Sequence, residues 1–350
     1  MQEGKKIKVG ISIGDLNGIG CEVVLKTFED SRMLDFCTPI IFASNKTISY
    51  QKNALNLDIN YNGVYDAEKA LENKINVVNI WKEAPKTNFG EATKESGSYA
   101  LKSLQAATKA LKENKIDVLV TAPINKNNIQ SEEFNFPGHT DYLAKELDGK
   151  SLMFMVTSTL KVGLLTDHIA VKDVAAAITP ELIKEKVATI EKSLKEDFGI
   201  SKPKIALLGI NPHSGDNGII GKEDDVVLKP TITELANKGK MVFGPYSADS
   251  FFGSDTYSSF DAVLAAYHDQ GLIPFKTLSF GKGVNYTAGL SKVRTSPDHG
   301  TAYEIAGKGK ADHSSFKEAV FTAIEIYKNR EEYKELTQNP LKKQRIKRNE

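Results

Sequence analysis

The sequence predicts an α/β protein built on a mixed, mostly parallel β-sheet, and two observations carry that expectation. Short apolar, strand-like runs alternate with segments of helical periodicity through most of the 350 residues, the pattern of parallel strands joined by helical crossovers. In mid-chain the alternation breaks: strand-like runs at 152–157 and 161–166 are separated only by Ser158-Thr159-Leu160. A link that short closes an antiparallel hairpin and cannot carry a parallel crossover.

The elements follow in order. Buried strands are expected at 9–13, 40–43, 77–81 and 118–121, with helices at 22–28, 46–55 and 98–112. After the hairpin, Thr179 is placed to cap a helix whose first position is Pro180. Leu182, Ile183, Val187, Ile190 and Leu194 then recur at helical spacing. Further strands are expected at 205–210, 241–243, 262–266 and 285–288, and a helix at 316–327 closes the fold. No stretch reads as a linker, so the regions either side of the hairpin share one sheet or interleave.

Composition narrows the function. A hydrophobic fraction of 40% and a charged fraction of 26% are ordinary for a globular protein. A net charge of +1 gives no whole-protein field to gather nucleic acid or a membrane surface. The exception is a basic C-terminal run with Lys342, Lys343, Arg345, Lys347 and Arg348, read as a solvated tail within residues 331–350. Cys21 and Cys37 form no CxxC pair and are too few for a disulfide framework. With no signal-like N-terminus and no apolar run near the roughly 20 residues of a membrane span, a soluble protein of the reducing cytoplasm is expected.

The chemistry gathers at strand ends. Three of the six histidines, His168, His213 and His268, directly follow strand-like runs. Ligands of open α/β sheets bind beyond the carboxyl ends of strands. Imidazole is a common ligand for divalent ions, so the three are a candidate metal trio, with strand-end loop capping as the alternative. Asp167, Asp216 and Asp269 are placed to orient them. The loop Gly14-Asp15-Leu16-Asn17-Gly18-Ile19-Gly20 matches neither GxGxxG nor a P-loop, which leaves tight turning and ligand contact both open. Phe136-Pro137-Gly138-His139-Thr140-Asp141 leads into a helix at 142–147 that Thr140 is placed to cap, where a phosphate has a favourable seat. Lys276, Asn285 and Arg294 supply polar and cationic groups suited to a carboxylate or phosphate.

These motifs stand together as GDLNGIGCE (14–22), TAPINK (121–126), FPGHTD (136–141), TDHIAVKDV (166–174), NPHSGDNG (211–218), GPYSAD (244–249), YHDQGLIPFK (267–276) and VRTSPDHGTAYEIAG (293–307). In that order they resemble the 4-hydroxythreonine-4-phosphate dehydrogenase family of the vitamin B6 pathway. The resemblance implies the isocitrate/isopropylmalate dehydrogenase-like fold, one unit over residues 1–330 with two interleaved α/β subdomains and a central cleft. It implies a homodimer with the active site at the subunit interface. It assigns His168, His213 and His268 to a divalent metal (zinc, magnesium, manganese or cobalt) shared between subunits, and His139, Thr140, Lys276, Asn285 and Arg294 to a small phosphorylated substrate. The implied reaction is NAD- or NADP-dependent oxidation of 4-phosphohydroxy-L-threonine followed by decarboxylation, with Lys126 as the proton-transfer candidate. Rival readings are a dehydrogenase of 4-phospho-threonate or 4-phospho-erythronate, a metal-dependent hydrolase, and a non-catalytic binding protein. The sequence departs from the family pattern at Leu16 and Cys21, which replace prolines, and at Asp141 and Asp216, which replace glutamates.

Overall fold

The computed structural model describes residues 6–340; the basic run from Lys342 to Arg348 lies outside them. One sheet of twelve strands runs through the molecule: β1 (Ile7–Ser12), β2 (Cys37–Ala43), β3 (Tyr61–Val64), β4 (Ile75–Asn79), β5 (Val118–Thr121), β6 (Gly149–Val156), β7 (Lys161–Leu164), β8 (Ile205–Leu208), β9 (Val242–Tyr246), β10 (Ala262–Ala265), β11 (Val284–Leu290) and β12 (Val293–Pro297). Their spatial order is β3-β4-β2-β1-β5-β12-β11-β6-β7-β10-β8-β9.

Strands β3, β4, β2, β1, β5 and β12 form one parallel block, and β7, β10, β8 and β9 form a second. Between them, β11 pairs antiparallel with both β12 and β6, and β6 antiparallel with β7. The two blocks therefore point in opposite directions across an antiparallel seam. The short link at 158–160 creates one side of that seam, because it forces β7 to reverse β6.

Side chains alternate across a strand, and the alternation sorts this sheet. On one face a single apolar cluster runs the length of the molecule, taking Ile41, Val118, Val120, Phe154, Tyr286, Val293, Leu207 and Leu264. The helices Gly20–Glu29, Pro180–Glu196 and Ser314–Thr337 supply residues to it. The opposite face carries two separate clusters. One joins Ile40, Phe42 and Leu119 to the helices Lys94–Lys112 and His139–Glu146. The other joins Met155, Ala206, Leu208, Val263 and Ala265 to the helix His268–Ser279. Between these two clusters, the same face at the seam presents Thr121, Arg294, Ser296, Asn285 and Thr287.

The mixed, mostly parallel α/β fold agrees with the sequence expectation, with differences in detail. β3 (YNGV) and β12 (VRTSP) are not among the expected strands; each is short and carries polar or turn-forming residues that hide the apolar alternation. β9 runs on to Tyr246, past the expected end at 243. The closing helix spans Ser314–Thr337, so the stretch assigned to a tail after residue 330 begins as helix. Among the described residues no helix is long and apolar enough to cross a membrane.

Where the first face meets the closing helix, a buried polar cluster ties three elements together. Asp197 accepts hydrogen bonds from Arg330 Nε, Tyr286 Oη and Ser193 Oγ, each at 2.6 Å, and Arg330 also donates to Tyr286 Oη at 2.9 Å. Asp197 and Tyr286 are fully buried, so removing the carboxylate strands a guanidinium in a poorly solvated site. Asp197→Ala is expected to cost about 3–5 kcal/mol of folding stability, and Tyr286→Phe about 1 kcal/mol; urea unfolding of the two variants measures both.

Candidate active site

Among the described residues, Arg294 heads the large side chains buried to this degree, at 1% exposure. The pairing of β12 with β5 and β11 sets its surroundings. Its Nε and Nη2 donate to Thr121 Oγ1 at 3.1 and 2.5 Å, and Nη1 donates to Thr287 Oγ1 at 3.0 Å. Among the described residues it pairs with no carboxylate. Burial pushes its pKa down to about 9. A guanidinium held by two neutral hydroxyls, away from water, carries an uncompensated charge. It is chemically matched to an incoming carboxylate or phosphate.

The side chain faces a cavity of about 210 Å3, lined also by Lys126, His139, Thr140, His168, Asn285 and His299. Three buried polar atoms around it have no hydrogen-bond partner: His139 Nε2, Asn285 Oδ1 and His299 Nε2. Buried polar groups are normally satisfied, so their clustering on one cavity marks a place for a polar ligand. His139 opens the helix His139–Glu146. Burial first, then the positive charges of Arg294 and Lys126, hold its imidazole well below the ordinary range, so it is neutral near pH 7. An aromatic triangle anchors that helix, with Phe134, Phe136 and Tyr142 ring centres 5.4–5.6 Å apart. Thr140 does not cap the helix as expected. It lies in the first turn, and the capping position is Gly138, which has no side chain to cap with.

One expected residue, Lys276, stands apart from the cavity wall. Lys276 is exposed on the helix His268–Ser279 and forms an ion pair with Asp298 Oδ1 at 2.6 Å, while also donating to the Asp298 carbonyl at 2.9 Å. Lys126 is exposed at the rim. The histidine trio is only partly assembled. His168 follows β7, His213 follows β8 and His268 follows β10, three neighbouring strands of one direction. The rings of His168 and His268 are 5.9 Å apart. His268 Nδ1 lies 2.7 Å from Asp269 Oδ1, which orients the ring and leaves Nε2 free. His213 projects from a turn in which His213, Ser214, Asp216 and Asn217 all take left-handed backbone angles, φ 43–54°. Left-handed geometry costs roughly 1–2 kcal/mol for each such residue. Among the described residues, no group of three or more His, Cys, Asp or Glu side chains is close enough to hold an ion. The three-way convergence expected from strand ends is therefore not reached within one chain.

The glycine-rich loop has a different job from a ligand cradle. Every residue from Gly14 to Gly20 is buried. A Cβ on Gly14 would sit 2.2 Å from the Pro123 carbonyl oxygen, and one on Gly20 2.4 Å from that of Ile13. Asp15, fully buried, accepts from Asn17 N–H (2.9 Å), Ser96 Oγ (3.1 Å), Asn128 Nδ2 (2.7 Å) and Tyr303 Oη (3.1 Å). Asp15 N–H donates to Pro123 O and Ile19 N–H to Thr301 O. The loop thus clamps, from behind, the segments after β5 and after β12 that wall the cavity. Leu16 and Cys21, the two departures from the family pattern, are themselves fully buried. The Cys21 thiol is pushed up to about 12 by burial and by the Asp15 charge, and Cys37 to about 12 by burial, so neither is a ready nucleophile.

Comparison with known proteins decides the family. The profile described as pyridoxal phosphate biosynthetic protein PdxA matches residues 35–323. The chain belongs to this family. A relative named 4-hydroxythreonine-4-phosphate dehydrogenase, from Bacteroides thetaiotaomicron, is 49% identical over 344 residues, covering 98% of this chain and 94% of the relative. A relative from Oceanobacillus iheyensis, named putative D-threonate 4-phosphate dehydrogenase, is 35% identical over 92% of this chain and 98% of its own. The crystal structure of 4-hydroxythreonine-4-phosphate dehydrogenase from Klebsiella pneumoniae superposes with a TM-score of 0.80 at 29% identity, covering 93% and 99% of the two chains.

Sequence reasoning missed two features of this PdxA-family site. His299 lies in a Pro-Asp-His-Gly turn that reads as loop, and no role was drawn from its place inside the 293–307 motif. Asp15 lies in a loop whose glycines drew the eye to anion binding. The neutral state of His139 has a measurable consequence. The unfolded chain takes up a proton near the ordinary value of 6.5, the folded chain only well below it, so stability falls as pH drops below that value. Between neutral pH and about pH 5, wild-type protein should lose more thermal stability than His139→Gln; equal losses would show that the folded ring protonates freely.

Proposed function

We propose that this chain oxidises 4-phosphohydroxy-L-threonine with NAD or NADP to the 2-amino-3-oxo acid phosphate, which then loses carbon dioxide to give 3-amino-2-oxopropyl phosphate, a step of pyridoxal phosphate biosynthesis in the cytoplasm. The observation that carries the reading is Arg294: a buried cation without a counter-ion, in a cavity ringed by unpartnered polar atoms, in a PdxA-family chain. The substrate offers what the cavity lacks. One of its two anionic groups neutralises Arg294, and its hydroxyl and ammonium groups donate to the free acceptors. His139 and Thr140 line the same space at a helix start, where an anion is favoured. Lys276 reaches the ligand by exchanging its Asp298 partner for substrate oxygen, and Lys126 at the rim moves the proton.

His168, His213 and His268 would hold a divalent ion (zinc, magnesium, manganese or cobalt), with the set completed across two copies of the chain. The donor chemistry fits: imidazoles, one of them oriented through Nδ1 by a carboxylate. Support for the second copy comes from exposed apolar side chains beside each ligand: Ile169 and Val171 next to His168, Ile219 and Ile220 after His213, and Ile273 on the His268 helix. Exposed apolar groups on all three segments that carry the histidines suit a protein contact surface. The ion, when bound, supplies the Lewis acidity that eases loss of the alcohol proton, and the nicotinamide takes the hydride. The chain's own residues bind, orient and shield the reacting carbon.

A second reading, oxidation of 4-phospho-threonate or 4-phospho-erythronate, draws support from the Oceanobacillus iheyensis relative. The relatives reported above are named dehydrogenases, which favours neither a hydrolase nor a bare binding protein. Following NADH absorbance with the three phosphorylated acids in parallel, with and without a chelator, tests the proposal. Fastest turnover of the amino acid, abolished by chelator and by His168→Ala, is expected. Faster turnover of a sugar acid would transfer the assignment, and full activity in chelator would contradict the histidine site. Sedimentation should give a dimer.

A further inference from the structure

His299 is a cavity residue to which no role has been given so far. It follows β12 by two residues and lines the same space as Arg294, Asn285 and His139. Its Nδ1 lies 3.1 Å from the Gly300 carbonyl oxygen, which can only accept, so Nδ1 carries the hydrogen. In the neutral ring that leaves Nε2 as a lone-pair acceptor. Nε2 is buried and without a partner. An unmet acceptor in a poorly solvated site is costly unless a donor arrives. Asn285 Oδ1, the other pure acceptor on this wall, is likewise unmet. The cavity therefore shows two complementary demands: an anion for Arg294, and hydrogen-bond donors for Asn285 and His299.

We infer that His299 is a substrate-contacting residue, its Nε2 accepting a hydrogen bond from the hydroxyl or ammonium group of the phosphorylated substrate, and so contributing to the choice of that substrate. The inference rests on the functional reading above and adds to it a residue and a polarity. The contact is held from two sides. Asp298, the preceding residue, donates its N–H to Ser315 Oγ at 2.9 Å. The segment that follows is held by the bond from Ile19 N–H to Thr301 O. The ring is thus positioned before a ligand enters, and the ligand need not order the loop.

The test compares His299→Leu, which fills the space without an acceptor, with His299→Gln, whose amide oxygen reaches the position of Nε2. For His299→Leu, KM for 4-phosphohydroxythreonine should rise about tenfold or more, while KM for the dinucleotide stays within about twofold. His299→Gln should recover a large part of the loss. The same comparison, made on the rise in melting temperature that the phosphorylated substrate causes without dinucleotide, reads the contact independently of turnover. A wild-type enzyme that binds but does not oxidise this acid would contradict the functional reading while His299 is still judged by the melting shift. Unchanged substrate KM and melting shift in His299→Leu, a change confined to the dinucleotide, or a loss shared equally by His299→Gln would each overturn the inference.

Discussion

A positive charge sealed into the seam of the sheet governs this molecule. Arg294 is inaccessible to water and held by two threonine hydroxyls, neither of which can neutralise it. A fold keeps such a group only where the surrounding structure fixes it and something else meets its charge. The strand order explains its position. The two parallel blocks meet at β12, β11 and β6, where one face leaves the two apolar clusters and turns polar. Thr121, Thr287, Asn285 and Ser296 reach that face through the same two-residue alternation that buries Val120, Tyr286 and Thr295 on the other. The cavity is thus a consequence of strand pairing, with loops adding to it from above.

Those loops are held from the opposite side by the first turn of the chain. Asp15 gathers donors from the helix after residue 93, from the segment following β5 and from Tyr303. It fixes the distance between the two walls that carry His139 and His299. The buried glycines of this turn allow close backbone approach, and that closeness connects a motif near residue 15 to chemistry near residue 294.

Much of this was legible in the sequence. The three-residue link before Lys161 announced the antiparallel seam, and the strand-end positions of the histidines raised a convergence of His168, His213 and His268, of which the His168 and His268 rings are neighbours. The family resemblance pointed to His139, Asn285 and Arg294, which do line one cavity. What stayed hidden has physical causes. β12 was missed because its five residues include an arginine and a proline, and the depth of Arg294 could not be read without that strand. Lys276 faces Asp298 because an ion pair forms wherever geometry allows, and sequence spacing does not display competing partners. His213 stands on a left-handed turn, a backbone choice that no local pattern of Pro, His, Ser and Asp discloses.

The sharpest test of this account measures whether the buried charge is an anion receptor, using inorganic phosphate and thermal unfolding. Phosphate should raise the melting temperature of the wild-type protein in a concentration-dependent manner, and should leave Arg294→Met, which fills the same space without charge, unchanged. Equal stabilisation of both proteins by phosphate would contradict the claim that Arg294 awaits an anion.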